Sequence, residues 1–303
     1  MSPFNKILVV GAGGSIGSVM LEALLKEPAF TVTVLQRASS HAVISPSVRT
    51  ITVPDSYPAE ALVDAFRGQD AVVNCITSLN VREQFRFVDA AVAAGVRRYV
   101  PSEYGLDNLK PKARALNAVF DGKGAVQAYL RSREGEIEWT SFSCGMWLRW
   151  SAAHDFLGMR LREKKFVLWD EGNGYFSCTT EENTALALVS ALTRSPEETR
   201  NKNIFLSDFA VTQRQLLAEI ERQLGEKMVV EKVDSYKLVK EKQAAVRAGD
   251  RNATYALIET GFVTGRYGGH LEKEGEIWNE RLGLPRRSVE EVVQAALKGI
   301  NLL

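Results

Sequence analysis

At 303 residues the chain has the length of one large domain or two modest ones. Lysine plus arginine number 38 and aspartate plus glutamate 37, a net charge of +1 that argues against a nucleic-acid or membrane-surface partner. No apolar run reaches the ~18 residues of a membrane span and no secretory leader pattern is present, so a cytoplasmic protein is expected. Cys75, Cys144 and Cys178 lie far apart without metal-ligand spacing, which predicts buried reduced thiols. With His41, His154 and His270 the only histidines, no metal site is expected.

Residues 6–17 read Lys-Ile-Leu-Val-Val-Gly-Ala-Gly-Gly-Ser-Ile-Gly. The apolar run 7–10 predicts a strand, the glycines a tight turn, and 18–26 a helix. That order exposes helix-start N–H groups to a pyrophosphate. Gly11 allows the turn, Gly14 admits the phosphate, and Gly17 lets the helix lie close to the strand, with Gly13, Ser15 and Ile16 completing the loop. The spacing is Gly-x-x-Gly-x-x-Gly; the common dehydrogenase pattern would need a glycine where Ile16 stands. The spacing points to the short-chain-reductase branch of dinucleotide-binding proteins.

A second strand, 31–35, leads into Gln36-Arg37-Ala-Ser39-Ser40. An NAD-preferring protein carries an acidic residue here for the ribose 2′-hydroxyl. This chain has none, and Arg37 offers a planar cation to a 2′-phosphate, with Ser39 and Ser40 adding hydroxyls. NADP is therefore the expected dinucleotide. Strands are predicted at 48–53, 70–76, 98–101 and 139–144, with helices at 59–67, 81–94 and 124–133 between them. The alternation predicts a Rossmann-type doubly wound parallel sheet that binds ligands at the carboxyl ends of its strands.

After about residue 145 aromatic residues cluster. The segment 203–206 reads as a strand that rejoins the main sheet near 203–208. Residues 212–224 form an amphipathic helix, 261–275 read as a glycine-rich lid or an ordinary surface loop, and Ser288 with Glu291 forms a capping box. The expected division is a dinucleotide-binding domain, 1–150, and a smaller mixed α/β substrate-covering domain, 151–303. The one Tyr-x-x-x-Lys spacing, Tyr236 to Lys240, falls far past the sheet, so tyrosine-based carbonyl reduction is not supported.

The segments Arg97-Arg-Tyr-Val-Pro-Ser-Glu-Tyr-Gly105, Pro111-Lys-Ala-Arg-Ala, Phe120-Asp-Gly-Lys123 and Gly275-Glu-Ile-Trp-Asn-Glu-Arg281 resemble the NmrA-like, isoflavone-reductase-like family, an atypical short-chain-reductase group. The resemblance implies that Lys123 sits by the nicotinamide and supplies or positions a proton. A lysine at a helix start beside a desolvated cleft has a lowered pKa, which suits that role. The resemblance also implies that Thr77 flanks the cofactor and that Ser102 and Glu103 face the nicotinamide, although capping and turn chemistry explains the last two equally well. Tyr104 lines a substrate pocket or covers the core. Met146, Trp147 and Trp150, with Phe176 downstream, hold a flat aromatic substrate or form interface core. His154 is a second acid–base group or a structural histidine.

The expected function is NADPH-dependent reduction of a small aromatic or conjugated substrate such as an enone, quinone methide, benzylic ether or carbonyl, by a monomer or homodimer. Two alternatives stand beside it: a non-catalytic NADP-binding redox-sensing regulator, and a redox-neutral isomerase or cyclase.

Overall fold

The computed structural model describes residues 4–76 and 78–303. The position of Thr77, expected beside the cofactor, lies outside them.

The first half alternates strands and helices. In chain order they are β1 (Lys6–Val10), α1 (Ser15–Leu25), β2 (Thr31–Arg37), β3 (Arg49–Val53), α2 (Ala59–Phe66), β4 (Ala71–Asn74), α3 (Gln84–Ala93) and β5 (Arg98–Val100). There follow α4 (Pro111–Leu116), α5 (Ala118–Ser132), β6 (Glu138–Ser143) and α6 (Leu148–Ala153). The second half holds β7 (Met159–Arg160), β8 (Lys165–Trp169), β9 (Tyr175–Cys178), α7 (Glu181–Thr193), β10 (Lys202–Phe205) and β11 (Phe209–Thr212). It closes with α8 (Gln213–Leu224), β12 (Val229–Val233), α9 (Ser235–Arg247), α10 (Ala253–Val263) and α11 (Val289–Gly299).

Seven strands form one parallel sheet in the order β3-β2-β1-β4-β5-β6-β10. This is the doubly wound order, and it reverses direction between β1 and β4. The strand expected at 203–206 is β10, which pairs with β6 (Ile204 opposite Phe142). Period-two alternation explains why helices cover both faces. Ile7 and Val9 enter a core shared with α1 and α7, whereas Leu8 and Val10 enter the opposite core under α2, α3 and α5.

Three glycines account for the differences from expectation at α5 and α10. Helix α5 begins six residues before the predicted start at 124, capped by Asn117, whose Oδ1 accepts from the N–H groups of Val119 and Phe120 at 3.0 Å each. Gly122 and Gly124 disguise its first turns. A Cβ at Gly122 would lie 2.4 Å from Val81 Cγ1, and one at Gly124 2.4 Å from the carbonyl oxygen of Asn108. Gly261 belongs to α10 and not to a loop; a Cβ there would lie 2.6 Å from the ring of Phe120. Close packing, not chain flexibility, selects these glycines. The segment 81–94 begins as a 3-10 turn (Ser78–Glu83) before α3.

The second half surrounds a third core in which Phe166, Trp169, Leu216, Ile220, Phe262 and Val293 meet residues of the first half such as Leu106 and Phe120. β9 pairs with β11, and β8 lies between β7 and β12. Reciprocal capping boxes open α8 (Thr212, Gln215) and α11 (Ser288, Glu291). Tyr236, the tyrosine of the lone Tyr-x-x-x-Lys spacing, is 70% exposed on α9. The three cysteines are buried and unpaired. Among the described residues no helix is long and apolar enough to cross a membrane.

Glu259, on α10, is a buried acid. Burial pushes its carboxyl from an ordinary 4.5 to about 7, against the opposing pull of Arg160 and of the Gly158 N–H that donates to it at 3.2 Å. The folded state therefore holds the proton more tightly than the unfolded chain. The contribution of Glu259 to stability is full below pH 4.5 and is lost as pH rises to about 7, a change of about 3 kcal/mol. Glu259→Gln is expected to match the wild type in thermal stability near pH 4.5 and to melt about 5 °C higher at pH 8. A difference that does not change with pH would contradict this.

Candidate functional site

The reversal in strand order opens a crevice between the carboxyl ends of β1 and β4. A cavity of about 290 Å³ occupies it, lined by Gly11, Gly13, Gly14, Gln36, Arg37 and Ser40, with Tyr57, Cys75, Ile76 and Glu83 among the other walls. Gly11 has φ +78°, and a Cβ there would stand 2.8 Å from the backbone of Cys75. Gly17 is a close approach of helix to strand: its Cβ would lie 2.1 Å from the Gly11 carbonyl oxygen. A Cβ at Gly14 would meet nothing of the protein closer than 3.4 Å, so packing does not demand that glycine, and its bare backbone faces the cavity. Helix α1 starts there with Gly14 as N-cap, no side-chain cap and no acidic residue in its first turn. Ser15, Ile16 and Gly17 form that turn, with Ser15 exposed and Ile16 buried. Its N–H groups remain available to a phosphate.

Arg37 closes β2 at the cavity edge, exposed and without an ion pair among the described residues. Gln36 does not reach for ligand; its Nε2 donates to the Ala42 carbonyl at 2.9 Å and holds the following loop over the glycines. Ser40 lines the cavity, whereas the Ser39 N–H donates to Asp55 Oδ1 at 3.0 Å and Ser39 is absent from the lining.

A second cavity, of about 210 Å³, lies beside the first and is mostly apolar. Tyr104, Met146, Trp147 and Trp150 line it, as the aromatic segment led one to expect. So does Phe156 of the same aromatic stretch, and so do Asn108, Val119, Phe120, Tyr255, Ile258 and Phe262, which sequence reasoning missed. The walls come from both halves of the chain. Tyr104 marks the partition: its hydroxyl lies 3.8 Å from Sγ of Cys75, a wall residue of the first cavity. Tyr104 holds φ +28°, a conformation unusual for a tyrosine, which turns its ring to the cavity.

Lys123 is 6% exposed on the cavity wall. It is the sixth residue of α5, beyond the first turn, so the helix dipole is not what tunes it. Burial pulls its pKa down, and the carboxylate of Glu103 partly opposes that. Its Nζ donates to the carbonyl oxygen of Glu103. Glu103 is fully buried, its carboxyl pushed up by burial, and its Oε2 accepts from Asn108 Nδ2 at 2.8 Å. Ser102 is occupied otherwise: its N–H donates to Gln84 Oε1 at 2.7 Å and its hydroxyl to the Ile76 carbonyl at 2.9 Å, tying the ends of β5 and β4 together. Neither Ser102 nor Glu103 lines the first cavity.

Two expected site residues stand apart from the cavities. His154 is exposed and stacks on the outer side of Trp150, ring centroids 4.4 Å apart and 18° between planes, with Nδ1 donating to the Trp150 carbonyl at 2.8 Å. It backs the cavity wall and does not enter the cavity. Phe176 is fully buried in β9, inside the third core, because its position in the strand turns inward.

A family model described as the NmrA-like family matches residues 3–282. The chain belongs to the NmrA-like family. Oxidoreductase aprR of Aspergillus flavus is 33% identical over 300 residues, covering 97% of this chain and 99% of that protein. Isoflavone reductase of Pisum sativum is 26% identical over 278 residues, 81% of this chain and 84% of its own. Among solved structures, the binary complex of leucoanthocyanidin reductase with NADPH from Vitis vinifera superposes with a TM-score of 0.78 at 17% identity, covering 97% of this chain and 100% of that one. That likeness is one of fold. Within the NmrA-like family, this chain stands with the isoflavone-reductase-like oxidoreductases.

Proposed function

We propose that this NmrA-like protein is an NADPH-dependent reductase of a small aromatic or conjugated substrate. The observation that carries the proposal is a buried lysine at the wall of an apolar cavity, whose Tyr104 touches Cys75 in the wall of the dinucleotide crevice. The crevice fits a dinucleotide phosphate through the bare backbone of Gly14 and the uncapped start of α1, and it fits a 2′-phosphate through Arg37. When bound, NADPH supplies a hydride to an electrophilic carbon of the substrate.

The chain supplies the rest. Residues 1–150 with β10 hold the dinucleotide, and residues 151–303 complete the substrate cavity through Phe156, Tyr255, Ile258 and Phe262. The aromatic walls keep the substrate flat and exclude water. Lys123 stands where negative charge develops on the substrate oxygen. Its Nζ, positioned by the Glu103 carbonyl, stabilises that charge and delivers a proton to it. The lowered pKa makes the ammonium a better acid at neutral pH. His154 supports Trp150 from outside and takes no part in proton transfer.

Two expected outcomes test this reading. NADPH consumption against enones, aromatic aldehydes and quinones is expected with at least one member, with a product two hydrogens richer; tight NADPH binding with no oxidation of it would contradict a reductase. Arg37→Ala is expected to weaken NADPH binding by about tenfold, the scale of ~1.4 kcal/mol, and to leave NADH binding nearly unchanged. Equal losses for both would remove the 2′-phosphate from the role of Arg37.

A further inference from the structure

The wall of the second cavity includes a turn that a chain does not adopt readily. Between α6 and β7, Asp155, Leu157 and Gly158 hold positive φ of +52°, +59° and +83°. That region is unfavourable for a residue as bulky as leucine, and such backbone persists only where its surroundings over-determine it. The turn carries Phe156 into the cavity wall, where its ring meets that of Trp150 edge-on, centroids 5.3 Å apart.

Two buried side chains fasten this turn. Gln213, at the start of α8, takes the carbonyl side: its Nε2 donates to the carbonyls of Leu157 and Val167 at 3.0 Å each, and its Oε1 accepts from the Trp169 N–H at 2.8 Å. Glu259, on α10, takes the N–H side: its Oε1 accepts from Gly158 at 3.2 Å, and the Leu157 N–H adds a weaker pull. A Cβ at Gly158 would lie 2.0 Å from the Val167 carbonyl oxygen, so the turn is pressed against β8 as well. On α10, Ile258 precedes Glu259, and Tyr255 and Phe262 stand about one turn to either side of it; all three are cavity walls. Glu259 does not line the cavity itself. It ties the Phe156 wall to the α10 wall.

Of the two fastenings only Glu259 can change charge. Burial pushes its carboxyl up to about 7, and Arg160 on β7 is the charged side chain that opposes this. Among the described residues no charged group of α4, α9 or β9, which also pack on α10, acts on it. The neutral carboxyl suits its apolar surroundings. The ionised one is a buried charge that Arg160 offsets only in part, and contact with water lowers its cost.

We infer that Glu259 is a positioning residue that couples a proton to the shape of the second cavity: when neutral it keeps the Phe156 turn and α10 packed around an aromatic ligand, and when ionised it draws water between them and loosens the cavity. The inference rests on the second cavity being the ligand site. Its sign follows from linkage. The ligand favours the neutral form, so affinity is full below about pH 7 and falls as pH rises above it.

The test is calorimetric titration of two non-ionising conjugated ketones, trans-chalcone and 4-phenyl-3-buten-2-one, into the NADP+-saturated protein between about pH 5.5 and 8.5. In the wild type, affinity is expected to fall about tenfold with rising pH. Binding just above neutral pH is expected to take up protons, seen as a heat that varies with the ionisation enthalpy of the buffer. Glu259→Gln is expected to keep the low-pH affinity throughout and to bind without proton uptake. Arg160→Gln, which removes the opposing cation, is expected to move the fall to higher pH, and it decides the matter should Glu259→Gln fail to fold. A wild-type affinity that does not change with pH, a fall that persists in Glu259→Gln, or one that Arg160→Gln leaves in place overturns the role of Glu259 while leaving the cavity as the ligand site. If neither ketone binds, or if binding survives filling the cavity by Ile258→Trp, the ligand site itself is misplaced and the inference falls with it.

Discussion

Replacing Lys123 with alanine is expected to lower turnover by a factor on the order of 10² to 10⁴, the range for loss of a positioned acid, with NADPH affinity nearly unchanged. The reason is location. Lys123 lines the second cavity and not the dinucleotide crevice, so its loss removes charge stabilisation and proton delivery without touching the phosphate cradle. The pH dependence adds a second readout. Because the ammonium is the working form and burial lowers its pKa, turnover is full at low pH and falls as pH rises through a value below the ordinary 10.5 of lysine. That limb is expected to vanish in Lys123→Ala. Undiminished turnover would remove Lys123 from the chemistry, and a parallel loss of NADPH affinity would move it into the cofactor site.

Gly17→Ala is the second large effect. An added methyl would lie 2.1 Å from the Gly11 carbonyl oxygen and 3.0 Å from Cα of Ala12, both backbone, so neither neighbour can swing aside. Helix α1 must move off β1. Overpacking of this kind costs about 1–3 kcal/mol of stability. The same displacement draws the helix-start N–H groups away from the phosphate, so a loss of NADPH affinity of about 10- to 100-fold is expected. Thermal melting and fluorescence titration of the one variant check both. Unchanged affinity with lowered stability would mean that α1 does not contact the dinucleotide.

The sheet was legible in the sequence because most of its strands are short apolar runs with a helix after them, and the late strand that rejoins as β10 stood out as a short run of its own. The glycine loop was legible because turn, close approach and helix start each require a particular residue at a particular place. Helix α10 was not. It is buried on most sides, with Ala253, Leu257, Thr260, Phe262 and Val263 all inside, so it lacks a one-sided apolar stripe, and Gly261 mimics a loop. Three cavity walls were lost with it: Tyr255, Ile258 and Phe262. Asn108 carried no signal either, since an Asp-Asn pair reads as turn chemistry until the fold buries it. Phe176 and His154 show the converse. An aromatic or a histidine near the right segment is counted for the site by composition, and only the strand phase of one and the exposed stacking of the other remove them.

The central claim is that the glycine crevice holds the phosphates of NADPH, which would supply a hydride to a substrate in the cavity of Lys123. The most direct measurement uses NADPH deuterated at the transferring C4 position, with mass spectrometry of the product from whichever panel member consumes cofactor. The account predicts one deuterium in the product and none when the label sits on the opposite face of C4. NADPH that binds tightly yet is not consumed by any member, or a product that carries no deuterium from either face, would contradict it.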